Sequence, residues 1–363
     1  MFRILELQNF RGFEEASLSG LGRINLLTGM NGAGKTSILE AAFLISGAAN
    51  ASLVASLYNF RGDSTFIPGI DRPFRSLFKN LDTETTPRIV ASTSALQKTV
   101  RRYRRELTIK PSITVKPGQA STGQAAALTG VTFDFVGPSG KARSQWGWAP
   151  DAEKIMREKP STPTAILGGG EPISNPDLIQ GYFISPYYRD VIPQDHEMLT
   201  RLLTEKRVHE VVRSLKLIKP DLQGLHPLTE AGNPVIYGDV GTKTLLPISL
   251  LGSGLMNCLH IVLPMVAQEN ATIVIDEFED GIHHSLLTPL LRTVIELAEL
   301  RHHQVFMSTH SEELIRHLLR LAKAPPNSDI AIFRLGKLGP KGAVPRFTMA
   351  EAQELLETNI DIR

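Results

Sequence analysis

Cysteine is nearly absent from this sequence of 363 residues, because Cys258 is the only one. A single thiol excludes a disulfide within the chain, and it excludes a zinc site built from cysteines. Long apolar runs are missing as well: the longest, residues 255–267, is interrupted by Asn257, His260 and Pro264. A membrane helix needs about 20 largely apolar residues. We therefore expect no membrane partner and a cytoplasmic protein.

An excess of charge of one sign is also missing. The chain has 39 lysines and arginines against 37 aspartates and glutamates, which gives a formal net charge of +2. This balance provides no overall attraction to nucleic acid or acidic membranes, so any basic surface must be local. Hydrophobic residues make up 42% of the chain, which predicts a folded protein rather than a disordered one.

The two ends of the chain show alternating strands and helices, which is typical of a parallel sheet covered by helices. Predicted strands occupy residues 2–7, 24–28, 272–275, 305–308 and 330–334. A helix is predicted from about residue 35 to residue 46. Another begins after Thr348, which forms a capping box with Glu351.

The middle of the chain lacks this alternation. Residues 110–147 are rich in Gly, Pro, Ser and Thr and predict β-hairpins or an arm, whereas residues 194–217 have a helical pattern. We therefore predict three parts: residues 1–50 and residues 233–363 as the two halves of an α/β core, and residues 51–232 as an inserted lobe that is β-rich and helical.

A complete phosphate-binding loop follows the second predicted strand. Residues 29–36 read Gly-Met-Asn-Gly-Ala-Gly-Lys-Thr and match G-x-x-x-x-G-K-[ST]. Glycines let successive backbone N–H groups point at phosphate oxygens, and the helix that follows adds its positive dipole end. Lys35 supplies a positive charge to the β- and γ-phosphates, and Thr36 offers its hydroxyl to magnesium. The predicted nucleotide contacts are Asn31, Gly32, Ala33, Gly34, Lys35, Thr36 and Ser37.

Two acids end the predicted strand that begins at Thr272, where the sequence reads Thr-Ile-Val-Ile-Asp-Glu. In P-loop ATPases such a strand lies beside the phosphate loop, and its final aspartate holds magnesium. We therefore predict Asp276 as a metal residue beside Thr36. Glu277 is the predicted catalytic base that orients or deprotonates the attacking water. An acidic turn without catalytic meaning is the alternative, which the upstream phosphate loop disfavours.

Two further motifs flank the acidic strand. Leu-Gly-Ser-Gly at residues 251–254 precedes a predicted helix of about residues 255–268, where Ser253 and Gly254 can face a phosphate. His310 follows the strand at 305–308 and is predicted to sense the γ-phosphate. Ser311 is a natural N-cap for the next helix.

In this order the motifs resemble those of the RecF/SMC/OLD branch of AAA-family, ABC-type P-loop ATPases, particularly stand-alone bacterial OLD-like proteins. Asn-Phe-Arg-Gly-Phe at residues 9–13 and the stretch 234–311 add to the resemblance, which is poor over about residues 51–190. It implies an α/β P-loop core of ABC/SMC type with a largely parallel sheet, and it implies ATP and Mg²⁺ as cofactors. It also implies a head-to-tail homodimer, in which Ser253 and Gly254 complete the partner's site.

The sequence departs from the family pattern in three ways. The usual serine of the signature falls at Gly252, and Gln180 is the candidate for the glutamine of the glutamine loop. OLD proteins carry a nuclease domain after this region, but we expect no nuclease activity in this chain and any nuclease or other effector to be encoded separately. The expected function is an ATP-driven switch in a DNA-related process such as repair or phage defence. A slowly hydrolysing sensor that recruits a protein partner and a transporter ATPase subunit remain alternatives.

Basic and histidine-rich stretches lie outside these motifs. The basic run at residues 98–105 fits either phosphate contacts with nucleic acid or a charged hairpin edge. His283 and His284 fit the start of a helix better than a metal site. His302 and His303 are predicted to be an exposed pair at a helix end.

Overall fold

The computed structural model describes residues 1–62, 70–93, 103–114, 127–148, 166–169, 177–186, 192–322, 329–336 and 338–357. Strands β1 to β16 span, in order, Ile4–Phe10, Phe13–Ser19, Ile24–Thr28, Arg88–Thr93, Tyr103–Thr114, Ala127–Gly137, Gly140–Trp148, Ile166–Gly169, Gly181–Ile184, Gly224–Glu230, Asn233–Asp239, Leu246–Pro247, Thr272–Ile275, Gln304–Ser308, Ile330–Arg334 and Arg346–Phe347. Helices α1 to α9 span Lys35–Ser46, Leu53–Phe60, Arg72–Arg75, Ile192–Thr204, Val208–Leu215, Ser253–Ala267, His284–Leu300, Glu312–Ala322 and Met349–Glu357.

A six-stranded sheet with the order β16-β15-β3-β14-β13-β9 forms the centre of the protein. Only β16 runs antiparallel to its neighbour; the other five strands are parallel. Every residue of β3, β13 and β14 is buried, as expected for parallel strands covered on both faces. The predicted α/β fold with a largely parallel sheet is thereby confirmed. The carboxyl ends of these three strands meet at one edge, where ligands bind in such sheets.

A second sheet of seven antiparallel strands has the order β2-β1-β4-β5-β6-β7-β8. Strand β1 lies between β2 and β4, so pairing joins the N-terminal strands to strands from the middle of the chain. The predicted domain boundaries at residues 50 and 232 stay a prediction. The seven-stranded sheet contains strands from both sides of residue 50. A small third sheet joins β10, β11 and β12.

Helix α1 lies between the two large sheets and is buried over Ile38 to Ser46. Its apolar side chains share one core with Leu5 and Leu7 of β1 and with Val274 and Phe306 of the parallel sheet. A helix that is apolar on all sides belongs in such a position. The helix that follows the phosphate loop is thus fixed from both sides.

The opposite face of the parallel sheet is covered by α4 to α8, which share a second core with it. The helical pattern predicted over residues 194–217 forms two helices, α4 and α5, rather than one. Lys206 lies between them with a φ of 58°, a left-handed conformation that ends a helix. The capping box of Thr348 is present: Glu351 N donates to Thr348 Oγ1 at 3.2 Å, and Thr348 N donates to Glu351 Oε2 at 2.7 Å.

Glu40 of α1 is a buried carboxylate, 1% exposed, that joins three segments. It accepts bonds from Arg11 Nε at 2.8 Å and from Arg61 Nε at 2.7 Å. Arg11 also donates to the carbonyl of Ser76 at 2.9 Å. Burial lowers the pKa of Arg11, and Glu40 opposes that shift. Glu40 therefore holds the turn after β1 and the end of α2 against the phosphate-loop helix.

We predict that Glu40→Ala lowers the free energy of unfolding by about 3–5 kcal/mol, because it leaves the Arg11 guanidinium buried without its carboxylate. Urea unfolding followed by circular dichroism measures this change. Glu14→Ala is the control, because Glu14 is exposed and pairs with Lys79 at the surface, where an ion pair contributes little to stability. Equal, small losses in both variants would show that the buried cluster does not stabilise the fold.

Candidate nucleotide-binding site

The phosphate-binding loop lies between β3 and α1, as predicted. Gly29, Gly32 and Gly34 have φ values of 138°, 78° and 96°, which glycine adopts without strain. Two of them have no room for a side chain. A Cβ on Gly29 would lie 2.4 Å from the Leu335 carbonyl oxygen, and a Cβ on Gly34 would lie 2.4 Å from the Phe13 ring. Helix α1 has no acidic residue in its first turn and no side-chain cap. Its N-terminus is therefore suited to an anion.

Lys35 is the first residue of α1 and is only 5% exposed. Its Nζ donates to the carbonyl oxygens of Gly29 at 2.7 Å and Met30 at 3.1 Å, so the loop itself holds the ammonium group. Burial lowers the pKa of Lys35, whereas Asp276 and Glu277 oppose the shift. A cation in this position can neutralise phosphate oxygens bound in the loop.

Asp276 and Thr36 lie in contact at the bottom of the site. Thr36 Oγ1 donates to Asp276 Oδ2 at 2.8 Å, and Ser308 Oγ donates to Asp276 Oδ1. Asp276 is 6% exposed. A hydroxyl and a carboxylate are the hard oxygen ligands that Mg²⁺ prefers, so this pair fits the predicted metal site. Ser308 was not predicted, because a serine at the end of a buried strand carries no motif.

Glu277 follows Asp276 with a φ of 51°, an uncommon conformation for a residue with a side chain. Its N–H donates to Ser308 Oγ at 2.8 Å, which holds the backbone there. Burial raises the pKa of Glu277, Asp276 adds to the rise, and His310 opposes it. A raised pKa makes a carboxylate a better proton acceptor near neutral pH.

His310 lies between the phosphate loop and Glu277. Its Nδ1 is 3.2 Å from Lys35 Nζ, and its Nε2 is 3.6 Å from Glu277 Oε1. Because an ammonium group can only donate, Nδ1 accepts from Lys35 and the ring proton is assigned to Nε2. Ser311 caps α8 as predicted, accepting from Leu314 N at 3.2 Å.

The predicted signature lies at the N-terminus of α6, which begins at Ser253. Gly252 precedes it with a φ of 113°, and both residues are exposed. No acidic residue occupies the first turn of α6, and the residue before it offers no side-chain cap. Ser253 and Gly254 thus form a free, positive helix end. In the same chain, Ser253, Asp276 and Glu277 also line a cavity of about 470 Å³.

Two predictions outside the motifs are wrong. Gln180 lies before β9, and its carbonyl accepts from Thr272 N at 2.9 Å, at the opposite edge of the sheet from the phosphate loop. It therefore cannot serve as the glutamine of this site. His303 is fully buried rather than exposed, because its ring accepts from Ala271 N and pairs with the Met265 carbonyl at 2.8 Å.

The remaining basic and histidine stretches have internal partners where they are described. Residues 98–102 of the basic run lie outside the described residues. Of the rest, Arg104 pairs with Glu106 at 3.3 Å, and the Arg105 guanidinium lies 5.8 Å from the Phe2 ring centroid. His283 is the N-cap of α7. Within the described ranges, no group of three or more His, Cys, Asp or Glu side chains is placed to hold a metal ion.

We predict that Glu277→Gln stabilises the folded protein in the absence of nucleotide. A carboxyl whose pKa is raised by folding costs stability when it is ionised. This cost is full above its folded pKa and vanishes below the unfolded pKa of about 4.3. The variant should therefore melt at a higher temperature than wild type at pH 7 and at the same temperature near pH 4. Thermal unfolding at both pH values measures this, and a lower melting temperature at pH 7 would contradict it.

Comparison with known proteins agrees with this geometry. A family model described as an AAA domain matches residues 5–121, and one described as an AAA ATPase domain matches residues 196–315. An ATP/GTP phosphatase of Helicobacter pylori is 25% identical over 342 residues, covering 88% of this chain and 87% of that protein. The DNA replication and repair protein RecF of Idiomarina loihiensis is 54% identical over 41 residues, which are 11% of this chain and 12% of RecF. The chain therefore resembles AAA-type P-loop ATPases, with RecF among its relatives.

Solved structures similar to this chain include SMC heads. The SMC head bound to the C-winged helix domain of ScpA has a TM-score of 0.48 and 13% identity, covering 97% of this chain and 99% of that one. The SMC head domain from Thermotoga maritima has a TM-score of 0.41 and 15% identity, covering 95% and 98%. Both TM-scores are too low to establish a shared fold. Within the described part of the chain, no helix is long and apolar enough to span a membrane.

Proposed function

We propose that this protein binds ATP with Mg²⁺, hydrolyses it, and uses the cycle as a switch. The observation that carries the proposal is the convergence of three separate motif segments at one sheet edge: the phosphate loop, the end of the acidic strand and the histidine loop. Thr36 contacts Asp276 at 2.8 Å, Lys35 contacts His310 at 3.2 Å, and His310 lies 3.6 Å from Glu277. A structural ion cluster would not require a glycine loop and a free helix end beside it.

Each side chain has a distinct proposed role. Lys35 leaves the carbonyls of Gly29 and Met30 to bind the β- and γ-phosphates, and the loop N–H groups hold the remaining oxygens. Mg²⁺ held by Thr36 and Asp276 would neutralise phosphate charge. Glu277 orients the attacking water and accepts its proton. His310 donates from Nε2 to the γ-phosphate once Lys35 has moved away.

The signature residues complete the site of a second copy in this proposal. Ser253 and Gly254 form a positive helix end with no capping carboxylate, which is suited to a γ-phosphate. One signature per chain then requires a head-to-tail homodimer with two composite sites. Met30 in the phosphate loop is 77% exposed, and Leu250 beside the signature is 72% exposed. A dimer of this kind would cover both.

The proposed biological setting is a DNA-related process in the cytoplasm, repair or phage defence, with a separately encoded nuclease or other effector. The match to RecF, a DNA replication and repair protein, supports this setting. The match covers 11% of this chain and 12% of RecF, so DNA contact is a separate part of the proposal with its own test.

ATP turnover by the purified protein, with and without linear double-stranded DNA, tests the proposal, while light scattering follows the mass. We expect turnover that DNA stimulates and a dimer that forms with ATP. If DNA changes neither ATP turnover nor dimerisation, the DNA-related switch is wrong, and a sensor that recruits a protein partner becomes the favoured function. Absence of ATP binding would overturn the proposed function.

A further inference from the structure

The loop after β13 reaches the histidine loop through Glu279. Glu279 Oε2 accepts from Thr309 Oγ1 at 2.8 Å, and Glu279 Oε1 accepts from the backbone N–H of His310 at 2.8 Å. Thr309 is fully buried, and its hydroxyl also accepts from Ser311 N at 2.9 Å. Both carboxylate oxygens of one side chain thus hold the three residues between β14 and α8.

This contact determines where the His310 ring stands. Residues 309–311 belong to neither β14 nor α8, so strand pairing and helix bonding do not fix them fully. The bond from His310 N to Glu279 fixes the backbone of the residue whose ring lies between Lys35 and Glu277. A small displacement of a catalytic group lowers rate steeply, by about 100-fold for 1 Å.

The same loop is also tied to the signature helix. Asn257, one turn after Ser253 in α6, donates from Nδ2 to the carbonyl of Gly281 at 3.1 Å and to that of Asp280 at 3.4 Å. Glu279 therefore lies in a short loop that is held on one side by α6 and on the other by the histidine loop.

We propose that Glu279 is a positioning residue that sets His310 for the γ-phosphate and connects it to the signature helix of the same chain. The proposal rests on the ATPase function proposed above. Glu279 does not touch the reacting atoms; it acts through the backbone of His310 and the hydroxyl of Thr309. No motif in the sequence marks it.

A double-mutant cycle with Glu279→Gln and His310→Ala tests this role. Glutamine keeps the shape of Glu279 but presents an N–H₂ group to one of the two donors. We expect each single variant to lower kcat by about 10- to 100-fold, and the double variant to be no slower than His310→Ala. The affinity for Mg·ADP should stay at the wild-type value, because ADP lacks the γ-phosphate.

Losses that multiply in the double variant would overturn the proposal, as would wild-type turnover in either single variant. Wild-type protein without any ATP turnover would instead remove the proposed function, and this inference with it. If the wild-type protein hydrolyses ATP and the losses of the two single variants multiply in the double variant, only the positioning role of Glu279 fails. The proposed ATPase function then stands.

Thr309 supplies a second test that leaves the net charge unchanged. Thr309→Val removes the hydroxyl that Glu279 accepts from, and Thr309→Ser keeps it. We expect Thr309→Val to lower kcat by about tenfold and Thr309→Ser to retain wild-type turnover. If Thr309→Val also hydrolyses ATP at the wild-type rate while Glu279→Gln is slow, Glu279 acts through its charge and the positioning role is wrong.

Discussion

Lys35→Ala should weaken the binding of Mg·ATP by at least about 100-fold. The Lys35 ammonium is the buried cation of the phosphate loop, and it lies among the carboxylates of Asp276 and Glu277. Charge-assisted hydrogen bonds contribute about 1.5–3 kcal/mol each, and two of them to the β- and γ-phosphates correspond to a factor of 100 or more. Without the cation, those carboxylates also repel the nucleotide. Isothermal titration calorimetry with Mg·ATP measures the change.

Lys79→Ala is the matched control for this experiment. It removes the same charge from a lysine that pairs with Glu14, a carboxylate outside the phosphate loop. We expect its affinity for Mg·ATP to equal that of wild type. Loss of binding in both variants would point to net charge rather than to the loop, and binding by Lys35→Ala would disprove the role of this loop.

The central sheet and the phosphate loop could be predicted because each depends on local sequence. A few neighbouring residues are enough to predict a buried strand at Thr272–Ile275 and a phosphate-binding loop at residues 29–36. The position of Ser311 as a helix cap is equally local. Strand pairing over long distances is not local, so the seven-stranded antiparallel sheet that joins β1 to β4 was not predicted.

Residues that support the site through contacts with distant parts of the chain could not be predicted either, because such contacts are not local in sequence. Glu40, Glu279 and Ser308 bind partners 21 to 32 positions away, and no local pattern predicts these contacts. The error at His303 has the same physical origin. Its two polar contacts, to Ala271 and Met265, exist only once β13 and α6 are packed together.

Glu277→Gln should retain Mg·ATP and lose its hydrolysis. Glutamine preserves the size of Glu277 but cannot accept the proton of the attacking water, so kcat should fall by about 100- to 10,000-fold. The amide also removes a negative charge beside Asp276, so the affinity for Mg·ATP should not fall. Because the dimer is proposed to form with ATP and the variant keeps its ATP, the variant should accumulate as an ATP-bound dimer. Light scattering at saturating Mg·ATP and a phosphate-release assay measure both effects.

Glu312→Gln is the control for the loss of one nearby carboxylate. Glu312 begins α8 two residues after His310 and pairs with Arg316 at 2.5 Å on the protein surface. We expect this variant to turn over ATP like wild type. If Glu277→Gln also turns over ATP like wild type, Glu277 is not the base, and another group must activate the water. If Glu277→Gln is inactive but stays monomeric with ATP bound, the base is correct and the link between nucleotide and dimer is wrong.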